Sequence, residues 1–312
     1  MSLKSFKLYH INLSLQCFIA LHISFFLYNI STMILGAHFS ISGGISNALK
    51  EAESLDCNAV QMFIRNPRSF SGKVLEDEQV DEFKKLRKEY KIKTVVVHAV
   101  YLQNLASAKD NFAVRSAESN IADMIEAARI GVDYYVLHLG SYKDTTHEKG
   151  IEKVISGLRL MSEQAPDGIM ILLENVSGSG KLIGGDLKEL AYIMEQLGWP
   201  ENVGVCIDTC HAWCYGYDIK TEEGIKSFVK EIESTIGIKR VKIVHLNDTK
   251  EKFRSKHDRH ANIGEGELGV EGISNFINHP KFRKLPFLLE TPKKEEDADV
   301  KNVAMVKKLY KL

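Results

Sequence analysis

Eight short, β-branched apolar runs recur along the chain, and helical periodicity follows each of them. No other feature restricts the fold as strongly. The runs occupy residues 34–38, 59–63, 94–98, 134–139, 170–174, 203–208, 241–246 and 287–290. Helical patterns fill 45–55, 77–90, 112–131, 150–164, 186–197, 221–236, 270–278 and 297–310. Several runs are apolar on both faces, as parallel strands covered by helices must be. Gly131, Gly198 and Gly237 stand where three of the helices should stop. Eight β-α units in about 280 residues predict a (β/α)₈ TIM barrel occupying 33–312 as one domain, with no room for a second. A doubly wound open sheet is the alternative. It lacks its phosphate loop, because Gly43-Gly44, Gly178 with Gly180, and Gly264 with Gly266 match no dinucleotide or P-loop spacing.

The composition is that of a soluble globular protein, 44% hydrophobic and 26% charged. A net charge of zero argues against a sequence-independent coater of DNA, which is ordinarily basic. Any contact with nucleic acid must then be local and aided by bound cations. Five cysteines, Cys17, Cys57, Cys206, Cys210 and Cys214, lack a C-x-x-C pair. They read as reduced thiols in a reducing compartment, which suggests the cytoplasm, rather than a disulfide framework or a zinc ribbon. Residues 1–32 differ from the rest, with Lys4 and Lys7 as their only charges before an interrupted apolar stretch. Three readings of this non-barrel leader compete: a mis-assigned start with the true one at Met33, a targeting segment, or a membrane anchor. They are preferred in that order, and targeting to an organelle is not favoured.

The chemistry lies in what ends the runs. His98, His138, Glu174, Asp208, His245 and Glu290 stand at or beside the ends of runs three to eight. In a barrel those ends converge on one face, where active sites lie. One histidine after an apolar strand is commonly a packing or rim residue, but six consecutive strands ending in metal-ligand types form a pattern. A ring of buried carboxylates and imidazoles costs several kcal/mol per unpaired charge unless cations neutralise it. Two loops add the same chemistry: Asp208 with His211, and Asp258 with His260. Nine candidate ligands exceed one tetrahedral site and suit three ions with shared carboxylates; the donor mix favours Zn²⁺ or Mn²⁺. Among the other histidines, His10 and His22 lie in the leader, and His147 and His279 read as surface residues. His257 reads as solvated rather than as a tenth ligand. His38 is read as orienting a ligand, slightly ahead of simple packing.

The order of motifs carries a family resemblance. Gly36-Ala-His-Phe-Ser40, Gly43-Gly44, His98-x-x-Tyr-Leu-x-Asn-Leu105, Val136-Leu-His-x-Gly-Ser141, Leu173-Glu-Asn175 and Asp208-Thr-Cys-His-Ala212 occur in sequence. They are followed by Gly216-Tyr-Asp218, His245-Leu-Asn-Asp248, Asp258-Arg-His260, Ile263-Gly-x-Gly-x-x-Gly269 and Leu289-Glu-Thr-Pro292. From Met33 onward this resembles the endonuclease IV family of apurinic/apyrimidinic (AP) endonucleases, enzymes of DNA base excision repair. Leu139 stands where that family commonly has proline, and Val176-Ser177-Gly178-Ser179 departs from its usual Thr-Ala-Gly-Gln.

The resemblance implies a zinc ion at His98, His138 and Glu174, and a second at Glu174, Asp208, His245 and Glu290. It implies a third at His211, Asp258 and His260. Glu174 is then the catalytic bridging carboxylate supporting a shared hydroxide. The implied substrate is double-stranded DNA with an abasic site, nicked on its 5′ side to leave a 3′-hydroxyl and a 5′-deoxyribose phosphate. Trimming of blocked 3′ ends and a monomeric state without an obligatory protein partner are also implied. Arg68, Tyr101 and Leu102 match residues that wedge into the minor groove; read without the resemblance, they are ordinary loop residues. The enzymatic rival is a sugar isomerase or epimerase on the same barrel, which would leave His211, Asp258 and His260 without a task. The rival from another class is a non-catalytic lesion-binding protein.

Overall fold

The computed structural model describes residues 33–70, 72 and 74–311. The leader assigned to 1–32, with Cys17 inside it, lies outside the described residues.

Eight strands close in chain order into one parallel barrel: β1 Leu35–His38, β2 Ala59–Met62, β3 Thr94–His98, β4 Tyr134–Leu137, β5 Met170–Glu174, β6 Val203–Asp208, β7 Val241–His245 and β10 Phe287–Leu289. The last closes on the first, with Gly36 opposite Leu288. The helices are α1 Asn47–Ser54, α2 Asp77–Glu89, α3 Asp110–Arg129, α4 His147–Gln164, α5 Leu187–Gln196, α6 Thr209–Tyr215, α7 Glu222–Ser234, α8 Gly269–Asn278 and α9 Ala298–Leu309. Local chemistry starts several of them. A Glu76–Gln79 capping box opens α2, and the side chains of Thr146, Asp186 and Thr221 accept backbone N–H groups at the starts of α4, α5 and α7.

Strand parity places the candidate site. Side chains two apart on a strand share a face. Ala59, Val96, Val136, Leu172, Cys206, Ile243 and Leu288 form one buried cluster inside the barrel. Two residues further along stand Gln61, His98, His138, Glu174, Asp208, His245 and Glu290. The apolar layer is therefore the floor of the polar ring above it. Gly36 takes the eighth floor position, two residues before His38. A Cβ there would lie 1.9 Å from the Ala59 carbonyl oxygen, so only glycine lets β1 approach β2 this closely.

Two elements were not anticipated from sequence. Helix α6 begins where an open loop was expected, because Thr209 to Cys214 are all buried and leave no polar face to mark a helical period. Beyond β7 the chain forms a two-residue antiparallel ladder, β8 Asp248–Thr249 with β9 His260–Ala261.

Candidate metal centre

The nine predicted ligands converge above the floor. His98, His138 and Glu174 offer ligand atoms within 4.8 Å of one another, as do Glu174, Asp208, His245 and Glu290, and as do His211, Asp258 and His260. Glu174 joins the first two groups by dividing its oxygens. Oε2 faces His98 Nε2 at 3.1 Å and His138 Nε2 at 3.0 Å, while Oε1 faces His245 Nδ1 at 3.0 Å and His211 Nδ1 at 3.4 Å. The third group closes around Asp258, with His211 Nε2 at 3.1 Å from Oδ2 and His260 Nε2 at 3.2 Å from Oδ1.

Four imidazoles are anchored from behind by a carbonyl. The Nδ1–H of His98 donates to Ala99 O at 2.7 Å, that of His211 to Asn175 O at 2.9 Å, and that of His260 to Glu290 O at 2.8 Å. The Nε2–H of His245 donates to the side-chain Oε1 of Gln61 at 2.7 Å. A carbonyl only accepts, so each anchored nitrogen carries the proton and the other presents a lone pair to a carboxylate. Two acceptors face to face require a cation between them or a second proton on the ring. At His260 the mismatch is plain: its Nε2 is buried and makes no hydrogen bond despite the Asp258 oxygen beside it. This donor set fits divalent cations.

The protonation pattern of these side chains reports the same demand. Against the cost of burial, the carboxylates of Asp258 and Asp208 push the His260 imidazole up to about 9. Burial likewise opposes and is overridden by carboxylates at His98 and His211, and by the Cys206 thiol together with Glu290 and Glu174 at His245; all three values are raised. Burial would raise Glu174, but the charges of His138 and His245 hold it well below the carboxylate range. Glu290 and Asp258 are lowered in the same way, chiefly by His245 and by His211 respectively. Asp208 is raised, because burial outweighs its imidazole neighbours. His38 is lowered by burial and stays neutral.

Several positioning groups were not recognised in the sequence. Asn175 accepts the Asp208 backbone N–H through Oδ1 at 2.7 Å. Asn247 donates Nδ2 to Asp208 Oδ2 at 2.6 Å and accepts the Glu290 N–H at 2.8 Å, tying two strand ends together. Asp248 is fully buried and accepts five backbone N–H groups, from Thr249, Gly264, Gly266, Leu268 and Gly269. It thereby fixes the chain that follows the β8–β9 ladder. A Cβ on Gly266 would fall 2.3 Å from Thr249 O and 2.4 Å from Asp248 Oδ1, while Gly264 is needed for its φ of +85°. Gln61 is a buried amide at the interior parity of β2. A polar residue two beyond a floor position was the signal that could have found it.

The remaining expectations sort cleanly. His257 is 70% exposed and pairs with Glu251, away from the cluster. His147 opens α4 and pairs with Glu189, and His279 follows the end of α8. Cys57, Cys206, Cys210 and Cys214 are free and buried. Cys210 Sγ comes within reach of Asp208 and His260, and contact with Cys214 together with burial raises its thiol above the usual range. Tyr101 is 76% exposed and lines the same cavity of about 310 Å³ as His98, His138 and His211. Its ring meets Phe63 edge-on at 5.3 Å. Arg68 and Leu102 are exposed but do not line that cavity. The Arg68 loop is braced by buried Arg65, which donates to Ser69 O, to Asp123 at 2.6 Å and to Ser119 at 2.7 Å.

Comparison with known proteins places this geometry. The family described as xylose isomerase-like TIM barrel matches residues 49–309. A relative from Halothermothrix orenii named "Probable endonuclease 4" is 38% identical over 277 residues, covering 88% of this chain and 100% of its own. The crystal structure of endonuclease IV from Thermus thermophilus superposes with a TM-score of 0.78 at 32% identity, over 88% of this chain and 98% of that one. A D-tagatose 3-epimerase-like protein shares the fold alone, with a TM-score of 0.67 at 21% identity over 89% and 97% of the two chains. With the relatives matched along almost their whole length, the chain belongs to the endonuclease IV family of the xylose isomerase-like TIM barrels.

Proposed function

We propose that this protein hydrolyses the phosphodiester on the 5′ side of abasic sites in duplex DNA, leaving a 3′-hydroxyl and a 5′-deoxyribose phosphate. The observation that carries the reading is the orientation of the imidazoles: four are anchored to carbonyls and aim a lone pair at a carboxylate. That is the arrangement by which metal-ligating imidazoles are oriented. His98, His138 and Glu174 would hold one ion, Glu174, Asp208, His245 and Glu290 a second, and His211, Asp258 and His260 a third. Mixed imidazole and carboxylate donors suit Zn²⁺, with Mn²⁺ acceptable at the carboxylate-rich positions. When bound, such ions supply Lewis acidity that activates water and neutralises charge on the phosphate and on the leaving 3′-oxygen.

The residues of the chain do the rest. Glu174 is the catalytic carboxylate, held rigid at 0% exposure so that its two oxygens keep two groups in one frame. Four carboxylates against three dications leave the pocket with a formal excess of about two positive charges, a docking place for phosphate in a neutral protein. An abasic nucleotide has no base to unpair, so turning it into the pocket costs less than turning an intact one, which favours this lesion. Arg68, Tyr101 and Leu102 would wedge into the minor groove beside it. The same site is expected to trim blocked 3′ ends. Free buried cysteines support a reducing compartment. We read the protein as a cytoplasmic monomer acting on DNA, with residues 33–312 as its working part.

The test is cleavage of an end-labelled duplex carrying one tetrahydrofuran abasic analogue, with metal content measured on the same sample. The expected result is a nick immediately 5′ to the lesion, about three ions per chain, and loss of activity in His211→Ala. A chain begun at Met33 should cut equally. A metal-loaded protein that leaves this duplex intact, yet turns over ketoses, would replace the reading with a sugar epimerase. One that binds the duplex and turns over neither would be a lesion-binding protein.

A further inference from the structure

Every strand of the barrel contributes one side chain to the polar ring, and the contribution of β2 is Gln61, which is fully buried. Its amide touches three neighbours. Oε1 accepts from His245 Nε2 at 2.7 Å, while Nε2 donates to Glu290 Oε1 at 2.5 Å and to His38 Nδ1 at 3.2 Å. The directions of these bonds are forced. An ionised carboxylate only accepts, so the amide nitrogen must face Glu290 and the amide oxygen must face His245. An amide oxygen carries no proton, so His245 bears its own on Nε2 and turns a bare Nδ1 toward Glu174 Oε1, 3.0 Å away. An amide nitrogen has no lone pair to offer. His38 Nδ1 must therefore accept, and the His38 proton lies on Nε2. The His38 ring packs against Phe63 at 4.4 Å between centroids and lines the central cavity.

We propose that Gln61 is a positioning residue that fixes the protons of two imidazoles at once, making His245 an Nδ1 ligand and His38 a neutral Nε2–H donor to a phosphate oxygen in the cavity. The proposal rests on the ligand reading of His245 and Glu290 given above. No similar side chain performs both tasks. Glutamate would set a carboxylate against that of Glu290, and methionine would fill the space while releasing both rings.

The direct measurement is long-range ¹H–¹⁵N correlation spectroscopy on the zinc-loaded full-length protein with ¹⁵N-labelled histidine. His38 and His245 should both carry their proton on Nε2. In Gln61→Met the fixed pattern should be lost, zinc affinity should weaken about 10–100-fold, and Gln61→Glu should be worse than Gln61→Met. A purely packing role for Gln61 would leave Gln61→Met with unchanged zinc affinity, an unchanged His38 spectrum and the wild-type nicking rate, and that result overturns the proposal. So does a zinc-loaded wild-type His245 protonated on Nδ1, a readout that stands even if neither variant folds. A wild-type protein that binds no metal and cuts no abasic duplex overturns the functional reading instead, while the His38 proton, expected on Nε2 with or without metal, still decides the role of Gln61.

Discussion

Asp208 and His211 stand one turn apart at the start of α6, where Asp208 Oδ1 accepts the His211 backbone N–H at 2.7 Å. One carboxylate thus begins the helix that delivers the imidazole and also joins the ring itself. Asp208→Asn keeps a capping side chain but sets an NH₂ against a donor, either the Asn247 amide or the His211 N–H. We expect a loss of about 1–3 kcal/mol in urea unfolding and, with one charge gone from the ring, nicking reduced at least about 100-fold. Asp208→Ala removes the cap as well and should unfold earlier. A fully active Asp208→Asn enzyme would remove Asp208 from the ligand set.

The ion-free site should respond to pH in a defined direction. The imidazoles of His98, His211, His245 and His260 are raised, the last to about 9, whereas unfolded histidine titrates near 6.5. Their pairing with carboxylates therefore stabilises the fold fully below about pH 6.5 and is lost as the pH climbs through about 9. Metal ions compete with those same protons, so metal affinity must rise across this window. Chelator-treated protein should melt at a lower temperature at pH 9 than at pH 6.5. Calorimetric zinc titrations should tighten over the same range and release protons. Affinity that stays flat would rule the imidazoles out as ligands.

Much of this was legible in the residues, and the reasons are local. Runs such as Thr-Val-Val-Val-His98 announce both a buried strand and the group at its end, because apolar parity breaks at the residue that faces the cavity. Gln61 escaped notice because a single amide in Ala-Val-Gln-Met62 is an unremarked polar residue until parity aligns it with His38 and His98. Helix α6 was hidden because burial on all sides erases the periodicity that marks surface helices. The β8–β9 ladder was hidden because two residues per strand are too few to alternate. Asp248 lay within a recognised motif, but its five amide partners come from up to 21 positions downstream, and no spacing rule joins them.

Asp248 provides a test of the third group alone. Asp248→Asn replaces an acceptor with a donor facing at least two backbone N–H groups, each costing about 1–3 kcal/mol when orphaned. The loop after β9 should loosen, and His260 with it. Metal analysis is expected to show about one ion lost per chain, with the groups around Glu174 still filled. Loss of all the metal together would mean that the three groups do not fill independently.

The rim residues should separate binding from chemistry. Tyr101→Ala removes an exposed ring that packs edge-on against Phe63, and Arg68→Ala removes a charge from a braced loop. Each should raise KM for abasic duplex about 10-fold, Tyr101 through a lost stack worth about 1–3 kcal/mol and Arg68 through a lost cationic contact with the DNA. Metal content should not change. A fall in kcat at constant KM would place either residue in the chemical step.

The two-residue offset between the apolar floor and the polar ring has a consequence for how this protein can diverge. Because the offset fixes each functional group by counting along its strand, inserting or deleting one residue within a strand would turn that group into the surrounding helical layer. Substitution can alter the ring one position at a time, but length variation within the strands is closed to it. Relatives that differ in length should therefore differ in the connections between elements, while the spacing from Leu172 to Glu174, or from Ile243 to His245, stays invariant.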